Sequence, residues 1–110
     1  VEAVVERSGE ESLVALKKVG ARWCPSLAIE CLAQAAGLLS PPGGSALLAA
    51  VPRFRLRSRL EPGEWLEIRV RLVRRFGSLM TARGELTVAG RRVADGEVVL
   101  AFSGDGSKAG

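Results

Sequence analysis

Histidine does not occur in the 110 residues. Its absence removes the side chain that most often titrates near neutral pH and the most common metal ligand. Cysteine is scarce as well: Cys24 and Cys31 are the only two, and their spacing matches neither a C-x-x-C redox motif nor a zinc pattern. Both are expected to be reduced, mostly buried thiols, and neither a metal nor a cofactor is expected. No uninterrupted apolar run approaches the ~20 residues that span a bilayer. The opening "VEAVVERSGEE" also lacks the basic-then-apolar layout of a secretory signal. A cytoplasmic protein without a membrane partner is the expectation. Aromatic residues make up only 5% of the chain, and Phe54 alone interleaves with the arginines around it. With no recognisable nucleic-acid motif, nucleic acid is not expected as a partner.

The residues that are present describe one domain with a real core. Hydrophobic residues make up 47% of the chain, charged residues 25%, and the net charge of +4 is carried largely by arginine, which favours an anionic partner. "VEAVVER" and "SLVALKKV" are β-prone runs that read as an opening hairpin. From "SALLAAV" onward apolar residues recur every second position, with turn signals at Pro62-Gly63, Phe76-Gly77-Ser78 and Ala89-Gly90. In "EWLEIRVRL", Leu66, Ile68, Val70 and Leu72 share one face of a half-buried antiparallel strand. Met80, Ala82, Gly84, Leu86 and Val88 line a face that suits either a core or a tunnel wall. Residues 1–102 are expected to form a single domain. The polar, glycine-rich "SGDGSKAG" at 103–110 is expected to be a flexible tail.

Between the hairpin and the later strands lies "PSLAIECLAQAAGLLSPP". Pro25 suits a first helical turn, Ser26 could cap the free amides, and Pro41-Pro42-Gly43-Gly44 ends the run. A helix from about Ser26 to Leu39 would show no polar stripe, so it should be surrounded. The simplest container is the antiparallel sheet, curved around the helix with its arginines outside. Glu30 then becomes a buried carboxylate, and burial raises a carboxyl pKa toward values suited to proton transfer. Its replacement by glutamine should leave the fold intact or more stable. Gln34, one turn on, could hold Glu30 or a substrate oxygen by hydrogen bonding. The same residues also allow Glu30 to pair with an arginine such as Arg22, or to point to solvent at a helix edge.

"IECLAQAAGLL" resembles the helix motif of the β-hydroxyacyl-acyl-carrier-protein dehydratases. The later segment "VPRFRLRSRLEPGEWLEIRVRLVRRFGSLMTARGELTVAGRRVADGEVVLAF" is similar to the same family in its R-F segment, its P-G-(D/E)-x-L turn and its V-x-G-x-x-V-A close. The resemblance runs from about Val1 to Phe102. It implies an α+β hotdog fold, in which a long central helix is wrapped by a curved antiparallel sheet. It also implies homodimers or higher oligomers joined edge to edge, with a tunnel for an acyl-pantetheine thioester carried by acyl carrier protein or coenzyme A. By position, Glu30 matches the catalytic carboxylate and Gln34 the residue that orients it.

The family pairs that glutamate with a histidine held in a loop between hairpin and helix. Here the connector is only "VGARWCPS", and both the loop and the histidine are missing. Dehydration needs both a base and an acid, so three readings remain open. One is a thioesterase in which Glu30 activates water or attacks the carbonyl while amides near Ser26 and Leu27 polarise the thioester oxygen. Another is a non-catalytic dehydratase homologue that binds acyl chains or assists an active partner subunit. The last is a basic interaction module.

Two further groups could contribute to a site. Trp23 and Cys24 either line its mouth or pack at the helix entry. Arg53, Arg55, Arg57 and Arg59 alternate along one strand face, where Arg53 and Arg55 could bind a carrier protein or coenzyme A phosphates. A solvated outer sheet face explains them equally.

Overall fold

The computed structural model describes residues 3–9, 11–21, 24–39 and 45–103. The elements run β1 (Ala3–Ser8), β2 (Ser12–Lys18), α1 (Pro25–Gly37), β3 (Ser45–Leu56), β4 (Trp65–Phe76), β5 (Leu79–Val88) and β6 (Arg91–Ser103). All six strands join one antiparallel sheet in the order β1-β2-β4-β5-β6-β3. The turn signals fall where the chain reverses. Gly63, Gly77, Ala89 and Gly90 take positive φ, and Gly90 at 81° closes the β5–β6 hairpin as only a residue without a side-chain penalty does easily.

Alternation along the strands separates the sheet into two faces. Leu66, Ile68 and Val70 of β4, Met80, Ala82 and Leu86 of β5, and Ala94, Val98 and Leu100 of β6 are buried beneath α1. The helix packs against β2, β3, β4, β5 and β6, contributing Ala28, Cys31, Leu32, Ala35 and Ala36 to the core. Burying a leucine such as Leu32 contributes roughly 1.5–3 kcal/mol. Its close approach explains Gly84. A Cβ there would collide with the Leu32 side chain and sit 2.9 Å from both the Arg69 carbonyl oxygen and a Val70 methyl.

The helix differs from its expected form in one respect that bears on function. It is not apolar all round: Ser26, Glu30, Gln34 and Leu38 are exposed at four-residue intervals and form a stripe facing away from the sheet. Glu30 is therefore not a buried carboxylate in the single chain, and its exposure follows the solvent-facing alternative. Pro41-Pro42-Gly43-Gly44, Arg22 and Trp23 lie outside the described residues, as does the tail from Gly104.

β3 is the edge that α1 leads into, and it is 12 residues long. Its pairing with β6 shifts register between Leu48 and Ala50 and again between Ala50 and Arg53, around Pro52. Proline is tolerated there because an edge strand leaves amides unpaired. Leu47 is 72% exposed and Leu48 44%.

Candidate functional site

The helix begins differently from the capping expectation. Cys24, extended at φ −144° and ψ 159°, is the N-cap, Pro25 occupies the first turn, and no side chain caps the helix. Ser26 is already inside the first turn, so it cannot fill the capping position. Its hydroxyl lies 3.3 Å from the Cys24 thiol. The Leu27 amide donates to the Cys24 carbonyl at 2.9 Å. One of the two amides expected to polarise a thioester is thus already used within the turn.

Leu27, Glu30, Cys31 and Gln34 stand at helical spacings of three and four. They form one wall of a groove of about 380 Å³. The opposite wall is the end of β2 and the connector after it: Lys17, Lys18, Val19, Gly20 and Ala21. That wall is pinned. The Val19 amide donates to the Glu64 carbonyl at 2.8 Å and the Gly63 amide to the Val19 carbonyl at 2.8 Å, while the Val19 side chain is buried. Among the described residues, the connector's first part, Val19 to Ala21, therefore stands as a fixed wall opposite Glu30 and Gln34.

Of the residues singled out from sequence, Glu30, Gln34 and Leu27 meet in this groove. Cys24 and Ser26 are exposed and do not line it, and for Cys24 this corrects the burial expected of both thiols: as the N-cap it stands outside the packed turns of the helix, whereas Cys31 is buried. Trp23 is outside the described residues. Arg53 and Arg55 are elsewhere: they oppose Glu97 and Asp95 on the face of the sheet turned away from the helix. A wider concavity of about 640 Å³ lies on that outer face, with Arg53, Arg69, Arg71, Arg83 and Arg92 in its lining.

The outer arginines are largely matched by acids. Arg83 donates to one Glu97 oxygen at 2.5 and 3.0 Å, with Arg53 3.6 Å from the same oxygen. Arg57 meets Asp95 at 2.6 Å, Arg92 meets Glu85 at 2.6 Å, and Arg69 meets Glu67 at 3.3 Å. The hydrogen bond from Arg83, reinforced by the charges of Arg83 and Arg53, holds the Glu97 carboxyl below the usual carboxylate range. This pattern favours a solvated sheet face held by cross-strand ion pairs. The smaller groove, where a carboxylate with no ion-pair partner among the described residues stands beside an amide side chain and opposite two lysines, is the better chemical candidate.

Sequence reasoning missed Lys17. The run "SLVALKK" is apolar on both faces, so its alternation does not reveal which residues face the helix. Pairing with β4 settles the question by placing Lys17 opposite Leu66.

No family model matches the chain. A curated 3-hydroxyacyl-[acyl-carrier-protein] dehydratase FabZ from Myxococcus xanthus is 35% identical over 78 residues, covering 64% of this chain and 51% of the relative. The chain spans about half the length of that relative. Among solved structures, the dehydratase heterocomplex ApeI:P from Xenorhabdus doucetiae superposes with a TM-score of 0.81 at 16% identity, covering 96% of this chain and 83% of that one. A hypothetical thioesterase with coenzyme A from Streptococcus pneumoniae gives 0.78 at 15% identity, over 94% and 87%. The fluoroacetyl-CoA-specific thioesterase FlK, in a complex with fluoroacetate and CoA, gives 0.74 at 14% identity, over 88% and 94%. The chain therefore has the α+β hotdog fold that its helix motif implied, and its sequence is FabZ-like. Within the described residues no helix is long and apolar enough to cross a membrane.

Proposed function

We propose that this chain binds acyl-pantetheine thioesters in the groove between α1 and the end of β2 and hydrolyses them with Glu30 as general base. The observation that carries this reading is Glu30 and Gln34 one turn apart on the wall of a groove in a chain without histidine. Glu30 is exposed in the single chain, so a water molecule can reach its carboxylate and hand over a proton there. Gln34, on the same helix face, can orient that water or the carboxylate. Hydrolysis needs one acid-base group to serve twice, first as base and then as the acid that protonates the leaving thiolate. Dehydration, in contrast, asks for a base and an acid at once. The likeness to a FabZ dehydratase supports the acyl-thioester class, and the absent histidine favours hydrolysis within it.

The working unit we propose is a homodimer joined through β3. A 12-residue edge strand exposing Leu47 and Leu48 is a ready template for pairing with a second copy. A second reading draws on the same two features: the chain supplies Glu30 to a mixed dimer whose other subunit carries histidine. The proposed setting is the cytoplasm, with coenzyme A or acyl carrier protein delivering the acyl group.

Thiol release from acyl-CoA and acyl-carrier thioesters of graded chain length tests the proposal. Hydrolysis by the purified homodimer, abolished in Glu30→Gln, supports it. Activity that appears only after mixing with a histidine-bearing hotdog subunit transfers support to the mixed dimer.

A further inference from the structure

We infer that Lys17 is a second catalytic residue of the Glu30 groove, donating from its ammonium group to the thioester oxygen. The inference rests on the thioester reading above and extends it to the group that takes up the developing negative charge.

Three observations converge on Lys17. It follows Leu13 and Ala15 at two-residue spacing, and these buried residues lie opposite Val70 and Ile68 on the helix side of the sheet. Lys17 itself lies opposite Leu66, which is fully buried on the same side. A lysine in this position must extend toward α1, and it lines the groove with Glu30 and Gln34. Its neighbour Lys18 belongs to the other parity, with its amine 5.9 Å from the Trp65 ring centre. One of the two amide donors expected at the helix start is compromised, because the Leu27 amide is bound to the Cys24 carbonyl. The Lys17 side chain makes no ion pair or hydrogen bond to another described residue.

The chemistry follows from the arrangement. Glu30 takes a proton from water as the water oxygen bonds to the thioester carbon. The carbonyl electron pair moves onto oxygen, where the Lys17 ammonium stabilises it by a charge-assisted hydrogen bond. When that pair returns, the carbon–sulfur bond breaks and the departing sulfur takes the proton from Glu30. The products are a carboxylic acid and a thiol. No proton passes through Lys17 in either step, so it contributes charge without being consumed.

The test uses the whole protein and two coenzyme A probes besides hexanoyl-CoA: a trifluoromethyl-ketone analogue, whose hydrated or anionic form mimics the tetrahedral oxygen, and a plain thioether without a carbonyl. Lys17→Met should slow hexanoyl-CoA hydrolysis roughly 100-fold in kcat with KM nearly unchanged. It should weaken the ketone by a similar factor but leave thioether affinity within about twofold. Lys17→Arg, which keeps the charge, should recover part of both losses. Lys17→Gln, checked by thermal unfolding, separates lost charge from lost folding.

Wild-type rates and ketone affinity in Lys17→Met would overturn the inference while leaving the hydrolysis reading intact. If the wild-type protein hydrolyses nothing but prefers the ketone over the thioether through Lys17, the hydrolysis reading falls and the oxygen-binding role stands. If the wild type shows no such preference and no hydrolysis, both fall.

Discussion

The two faces of the sheet carry charge in different ways. The outer face has most of it, with Arg53, Arg83 and Arg92 set against Glu85 and Glu97 in cross-strand pairs and Arg69 against Glu67 within β4. The helix side has little charge, yet Lys17 reaches the groove there and Glu30 faces it from α1. On the outer face, opposite charges satisfy one another and are screened by water, so their number reports solubility and sheet pairing. At the groove, the side chains of Glu30 and Lys17 make no ion pair or hydrogen bond to another described residue and are available to a ligand. The +4 net charge that suggested an anionic partner is therefore a weaker guide than the two charges left over beside the helix.

The strongest contrast comes from removing Glu30. Glu30→Gln should reduce thioester hydrolysis by about 10²–10⁴-fold, the range for loss of a positioned general base. Because Glu30 is exposed in the single chain, the same variant should change stability by no more than about 0.5 kcal/mol. Steady-state kinetics and denaturant unfolding check both, and the stabilisation expected of a relieved buried charge should not appear.

The next effect belongs to the packed side. Gly84→Ala forces Leu32 and Val70 to move in a core without spare room, and should destabilise the fold by roughly 1–3 kcal/mol. Urea unfolding measures it, and a neutral result would mean the helix does not sit as close to β5 as described.

The outer face should yield smaller effects. Glu97→Gln breaks contacts with Arg83 and Arg53 near the surface, where a pair contributes at most about 1 kcal/mol. The carboxyl of Glu97 is held low in the folded state, so its contribution is complete above the unfolded carboxylate pKa and is lost as pH falls through the lowered folded value. Unfolding curves across that acid window should converge for wild type and Glu97→Gln as the window is descended. The smallest effect is expected from neutralising Arg53 and Arg55 together, which should leave acyl-CoA hydrolysis within about twofold. A selective fall with acyl-carrier substrates would instead make the outer face a carrier-docking surface.

How much of this was legible in the sequence depended on which physical signal each element carries. Strands with one wet face, such as "EWLEIRVRL", show their parity directly, and the turn at Ala89-Gly90 is local chemistry. The helix was harder. Alanine and leucine occupy both its buried and its half-exposed sides, so the polar stripe of Ser26, Glu30 and Gln34 was masked by an apolar background even though its four-residue spacing was present. Ser26 as a cap failed because Cys24 reaches the extended N-cap position one residue before Pro25. Arg53 and Arg55 could be placed together on one strand face and expected outside, but their acidic partners Glu97 and Asp95 depend on register with β6. Lys17 needed register with β4 for the same reason. Pairing between distant strands is the information that local pattern lacks.

The most direct test is a crystal structure of the protein with a non-hydrolysable hexanoyl-CoA analogue. The predicted result places the carbonyl-equivalent position between β2 and α1, with the Glu30 carboxylate about 3 Å from the attacking-water position. An analogue lodged on the outer arginine face, with Glu30 facing empty solvent, would contradict the account.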